Sequence, residues 1–267
     1  MASPQLLLAL GFATLLASNA IAHTGQIWFG YKGNAPANWG KLSPDYKTCS
    51  IGTHQSPINI AKDDVSPQNK LHDLHRQYVD ANATVVNNGF NIMVRFIQNA
   101  GYMSQDGKHY RLEQLHWHTP SEHTFNMKRF PLEIHLVHKS DDDKIIVVAI
   151  LYEYGNIDPF IYQLKDAIIE LAEKNNSNIS IGLVKTKSFR RHTRKFFKYI
   201  GSLTTPPCTE NVTWYILGKV RKVSKDQIAL IRSPLSKDFK RNARPTQLLN
   251  GRIVELYDES KFNSSST

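Results

Sequence analysis

Between residues 83 and 152 the chain consists of short runs of β-branched and aromatic residues broken by turn formers, and this pattern most limits its fold. The runs 83–86, 91–96, 111–118, 132–139 and 145–152 have strand length, and Asn87-Asn88-Gly89, Asp106-Gly107 and Ser140-Asp141-Asp142-Asp143 punctuate them. Strands this close in sequence pair antiparallel, because parallel neighbours need a crossover of about a dozen residues or more. Helical signals are fewer. Asp158-Pro159 supplies an N-cap and a first helical position, and Ile161, Leu164, Ile168 and Leu171 then recur at helical spacing. Ser224-Lys225-Asp226-Gln227 is a capping box that opens a short helix through Ile231. The expected fold class is mainly β (α+β): a single domain on a large, mostly antiparallel twisted sheet with peripheral helices. A chain of 267 residues can build that core without a second domain.

Residues 1–22 read as a secretory signal peptide, leaving a domain over 23–267. A mostly apolar stretch from Leu6 to Ala17 is followed by Ala20-Ile21-Ala22, an A-x-A-like cleavage site. The n-region carries no Lys or Arg, and an uncleaved anchor is the other reading. The chain has two cysteines, Cys49 and Cys208; an even count in an exported protein suggests one disulfide, against two buried thiols. Sequons at Asn82, Asn175, Asn178, Asn211 and Asn263 matter only on the secretory route, where apoplast, vacuole and plastid are all destinations.

The most informative segment is Gln114-Leu115-His116-Trp117-His118. Residues two apart on a strand share a face, so His116 and His118 project together with Gln114, while Leu115 and Trp117 take the other side. If the run 132–137 pairs antiparallel with it, His135 can face the first two across the ladder. Three neutral imidazoles suit Zn²⁺ and leave a fourth tetrahedral position open, the pattern of a catalytic site. An isolated H-x-H can equally be a polar strand face. His72 and His75 form a rival pair without a third partner, and His109, His123 and His138 have no ligand pattern of their own.

These segments resemble the alpha-class carbonic anhydrases, and within them the secreted plant members, a group that includes the storage protein dioscorin. The resemblance rests on Tyr31, Pro36 and Trp39-Gly40, on Gln55-Ser56-Pro57-Ile58-Asn59-Ile60, and on Asn87-Asn88-Gly89. It continues through Gln114 to Glu122-His123, Gly201-Ser202-Leu203-Thr204-Thr205-Pro206-Pro207-Cys208 and Asn242-Ala243-Arg244-Pro245-Thr246-Gln247. It implies zinc at His116, His118 and His135, with Gln114, Glu133 and the Asn242 carbonyl orienting the rings. It implies that Thr204 accepts a hydrogen bond from the attacking hydroxide and donates to Glu122. Val137, Val147, Leu203, Thr205, Val212 and Trp214 would line the substrate pocket, and Phe90 stands where fast members carry a proton-shuttle histidine. The implied reaction is reversible hydration of carbon dioxide to bicarbonate and a proton.

Two other readings follow from the same residues. A storage or binding protein on this scaffold would have weak or no activity. The net charge of +10 and the basic run between Lys185 and Lys198 would favour weak binding to an anionic surface, or simply a solvated loop. Nothing in the sequence points to nucleic acid, and oligomeric state is not legible.

Overall fold

The structure is a computed structural model that describes residues 29–33, 35–68, 71–174 and 177–262. The signal-like segment 1–22 and the sequons at Asn175 and Asn263 lie outside the described residues. Ten strands form the main path of one large sheet. In chain order they are β1 (Val65–Pro67), β2 (Ala81–Asn87), β3 (Ile92–Phe96), β4 (Lys108–His118), β5 (Leu132–Lys139), β6 (Ile145–Tyr154), β7 (Asn178–Val184), β8 (Lys195–Ser202), β9 (Glu210–Leu217) and β10 (Val254–Asp258). Across the sheet the order is β7-β2-β3-β4-β5-β6-β9-β8-β10-β1, with three short strands attached beside it among the described residues.

All five expected strands are present, and β2 to β6 pair antiparallel in an unbroken series. The centre departs from that rule, because β6 runs parallel to β9. The described intervening chain holds two α-helices, a short 3-10 helix, β7 and β8, which is ample length for the crossover a parallel pair requires. The helical stretch after Asp158 is also not one helix. It divides into Pro159–Tyr162 and Lys165–Glu173. At the break the Gln163 side chain bonds the backbone of Lys185 twice, donating to its carbonyl (3.1 Å) and accepting from its amide (2.9 Å). Ile161, Leu164, Ile168 and Leu171 stay buried across the break. The helix Lys225–Arg232 has the expected capping box.

Both faces of the central strands are covered. Leu115, Trp117, Ile134, Leu136, Val148 and Ile150 belong to one hydrophobic cluster, and Val147, Ala149, Leu151, Val212 and Trp214 to another. Double burial explains why β6 reads as a continuous apolar run instead of an alternating one. His138 lies among the first cluster, with Nε2 2.8 Å from the Tyr78 hydroxyl and Nδ1 3.2 Å from the Ile146 carbonyl. Burial pushes its pKa down to about 3, so the ring is neutral at physiological pH.

Candidate metal centre

Strand register assembles the site. His135 on β5 lies opposite His116 on β4, Glu133 opposite His118, and Val137 opposite Gln114. Directly opposed residues share a face, so one face of two adjacent strands carries all six side chains. Val137 is in turn opposite Val147, Val147 opposite Trp214, and Trp214 opposite Tyr199. A row of apolar side chains thus runs beside the row of imidazoles. The ring centroids of His116, His118 and His135 lie 4.7–5.2 Å apart, and a ligand atom from each falls within 4.8 Å of the others.

Each ring has one nitrogen engaged from behind. Nδ1 of His116 meets Gln114 Oε1 at 2.9 Å, Nδ1 of His118 meets the Asn242 carbonyl at 2.7 Å, and Nε2 of His135 meets Glu133 Oε1 at 2.8 Å. All three partners are oxygen acceptors, so each fixes the tautomer and leaves the opposite nitrogen with a free lone pair. Burial, the largest influence on each, lowers all three pKa values, that of His118 to about 4. The rings are therefore neutral, as ligands must be. His118 Nε2 is buried without a hydrogen-bond partner among the described residues. A divalent cation would satisfy it, and three imidazole nitrogens with an open fourth position fit zinc.

His123, Glu133 and His135 form a second close group, but its polar atoms are already paired. Glu133 Oε2 accepts from the amides of Glu122 and His123 (2.7 and 2.8 Å), and Oε1 meets His123 Nδ1 at 2.6 Å. His123 Nε2 lies 2.8 Å from the Tyr199 hydroxyl, itself 2.8 Å from Ser56 Oγ. This is a hydrogen-bond chain that fixes Glu133. Burial would raise the Glu133 carboxyl, but His123 and His135 hold it well below the usual range. Sequence reasoning gave His123 no role, and only its adjacency to Glu122 could have flagged it. Gly201 belongs to the same region; a Cβ there would come within 2.1 Å of Ser56 Oγ.

Glu122 stands over the imidazoles, its Oε2 3.5 Å from His118 Nε2 and 4.0 Å from His135 Nδ1. Its Oε1 accepts from the Arg244 amide at 2.9 Å. Burial raises the carboxyl to about 7, opposed by His135 and by the hydroxyl of Thr204 beside it. Glu122 Oε2 is buried with no hydrogen-bond partner at standard distance among the described residues. Val147, Val212 and Trp214 are buried, and Val137 and Leu203 pack against the same cluster. Thr205 is half-buried on the loop between β8 and β9, its carbonyl accepting from the Cys208 amide at 2.9 Å. Phe90 is half-buried, its ring 5.0 Å from Phe29, and its carbonyl accepts from Asn242 Nδ2 at 2.8 Å.

Cys49 and Cys208 are joined in a disulfide. The Cys208 carbonyl accepts from Gln55 Nε2 at 3.1 Å and the Cys49 carbonyl from Arg244 Nη2 at 3.1 Å. The bridge thus ties the N-terminal segment to the loop that carries Thr204. Of the sequons, Asn178 opens the edge strand β7 and is exposed, Asn211 is exposed on β9, and Asn82 is half-buried on β2.

The eukaryotic-type carbonic anhydrase family model matches residues 34–258. Alpha carbonic anhydrase 7 of Arabidopsis thaliana is 40% identical over 253 residues, covering 92% of each chain. Dioscorin DB3L of Dioscorea polystachya is 38% identical, covering 86% of this chain and 85% of its own. The crystal structure of a dioscorin complexed with ascorbate superposes with a TM-score of 0.84 at 38% identity, over 86% of this chain and 98% of that one. With the family's fold and a match across most of its length, this chain belongs to the eukaryotic-type, alpha-class carbonic anhydrases.

Proposed function

We propose that this chain is a zinc-dependent carbonic anhydrase of the secretory route, catalysing reversible hydration of carbon dioxide, with slowed export of the product proton. The observation that carries this reading is the set of three neutral imidazoles whose tautomers leave three free nitrogens converging under Glu122. When bound there, zinc supplies Lewis acidity that brings the ionisation of water to about 7, a figure established for carbonic anhydrase itself rather than obtained from this chain.

The remaining work falls to side chains. Gln114, Glu133 and the Asn242 carbonyl hold the three rings in place. Glu122 accepts a hydrogen bond from the Thr204 hydroxyl, so the Thr204 oxygen is left to accept one from the attacking oxygen, whose lone pair then faces the substrate. Val137, Val147, Leu203, Val212 and Trp214 keep a dry wall beside it, with Thr205 at its edge. A neutral linear molecule needs little more for binding. Phe90 has no ionisable group with which to carry the proton away.

A leader over residues 1–22, removed to leave 23–267, accords with the Cys49–Cys208 disulfide, a bond that persists in oxidising compartments. A storage or binding role is the second reading, favoured by the dioscorin relatives. Zinc content and stopped-flow hydration of carbon dioxide, with and without a chelator, separate the two. The proposal expects one zinc per chain and chelator-sensitive hydration; metal-free, inactive protein would leave the storage reading.

A further inference from the structure

The basic side chains from Lys185 to Lys195 are exposed, and part of the run, with residues 217–222, walls a cavity of about 920 Å³. A second cavity of about 830 Å³ adjoins it, sharing Pro159, Ser188 and Arg191. The floor of the larger cavity includes Ile150 of β6 and Leu217 of β9. Ile150 follows Ala149, which lies opposite His135. Successive strand residues point to opposite faces, so this cavity lies behind the sheet, away from the metal centre.

Its walls carry positive charge in excess of their partners. Arg221 is matched by Asp158 at 2.6 Å, Lys222 by Glu153 at 2.8 Å, Lys195 by Asp258 at 3.2 Å and Arg194 by Glu259 at 3.7 Å. Arg191 and Lys219 have no ion-pair partner among the described residues, and both are exposed. Arg76 donates only to neutral oxygens, the Arg191 carbonyl at 2.6 Å and the Thr193 hydroxyl. Ser188 Oγ is shielded and unpartnered, so turning it toward a ligand breaks no hydrogen bond. Beneath these groups lie Ile150, Phe189 and Leu217, all buried and apolar.

We infer that this cavity is a second ligand site, for a small phosphate monoester bearing an apolar or aromatic body. Guanidinium groups match phosphate oxygens with paired N–H donors, and the unpaired Arg191 and Lys219, with Arg76 offset in part by Asp73, suit a dianion. The apolar floor takes the body of the ester, and the volume is that of a small-molecule site rather than a track for a polymer. The inference does not rest on the catalytic reading.

The test is calorimetric titration of the full chain with phenyl phosphate, inorganic phosphate and phenol, before and after chelation. Phenyl phosphate should bind saturably, at least about tenfold tighter than either fragment, and equally well in chelated protein; raising salt should weaken it. The double variant Arg191→Glu/Lys219→Glu should lose at least about tenfold in affinity with carbon dioxide hydration unchanged, and Arg191→Gln/Lys219→Gln should lose affinity in the same direction. Any one of four outcomes overturns the proposal: no saturable binding, equal binding of inorganic phosphate, binding abolished by chelation, or full affinity in both double variants.

Discussion

Replacing Glu133 with Gln tests the hydrogen-bond chain behind the imidazoles. The carboxylate is fully buried and accepts from four donors: the amides of Glu122 and His123 on one oxygen, and the rings of His123 and His135 on the other. A carboxamide has one acceptor oxygen and one NH₂ group. With its NH₂ toward the two amides, two buried donors are left unsatisfied, at about 1–3 kcal/mol each. With its NH₂ toward the rings, His123 and His135 can accept from it only by changing tautomer, and loss of such a ligand-orienting partner weakens metal binding about 10–100-fold. Urea unfolding of chelated protein reads the first effect, and competition with a chromophoric zinc chelator reads the second. An E133Q protein within about 1 kcal/mol of wild type that holds zinc equally well would refute the reasoning.

Phe90→His should raise kcat by about ten to several hundred times, reaching the lower end of the roughly 10²–10⁴-fold usual for a general acid–base group, with little change in kcat/KM; added imidazole should act similarly on wild type, and no response to either would remove the proton-export argument. Cys49→Ser/Cys208→Ser opens a loop with a sequence separation of 159, for which chain entropy gives about 5 kcal/mol and practice often less; unchanged unfolding would contradict it. His138 has its pKa held near 3 by burial, so its neutral ring contributes fully above its ordinary value of about 6.5. That stability drains away as pH falls toward 3, by a few kcal/mol at about 1.4 kcal/mol per unit. His138→Gln should flatten the stability profile across that window, and an unchanged slope would count against it.

What could be read in advance was whatever is local or periodic. The strands from 83 to 152 declare themselves by composition, and period 2 alone puts His116, His118 and Gln114 on one face. The approach of His135 needed only a short antiparallel connection, which the Ser121 to Phe130 turn region supplies. The parallel joint between β6 and β9 was not legible, because nothing in either strand encodes a partner so distant in sequence. The division of the expected helix was equally hidden: the Gln163 side chain at the break bonds Lys185, outside any local window. That part of the exposed basic run lies against residues 217–222 was likewise not legible.

The segment Asn242-Ala243-Arg244 shows why an irregular stretch serves this site as much as any strand. Strands commit their amides and carbonyls to the ladder, leaving little backbone to spare. Outside the strands and helices, Asn242 can lend its carbonyl to His118 at 2.7 Å while Arg244 lends its amide to Glu122 at 2.9 Å. The same freedom would make the segment loose, and side chains oppose that. The Asn242 amide group bonds the Thr119 amide and the Phe90 carbonyl, each at 2.8 Å. The Arg244 guanidinium, buried over Trp39, bonds Gln55 Oε1 and the carbonyls of Ser56 and Cys49. Burial lowers this guanidinium to about 10, with Glu122 pulling the other way, so it remains charged at neutral pH. A buried charge is costly unless hydrogen-bonded; here Nε stays without a partner among the described residues, and the groups that meet Nη1 and Nη2 belong to the disulfide arm and the Gln55-Ser56 turn. The precision of the metal face is therefore set partly by segments that never touch it.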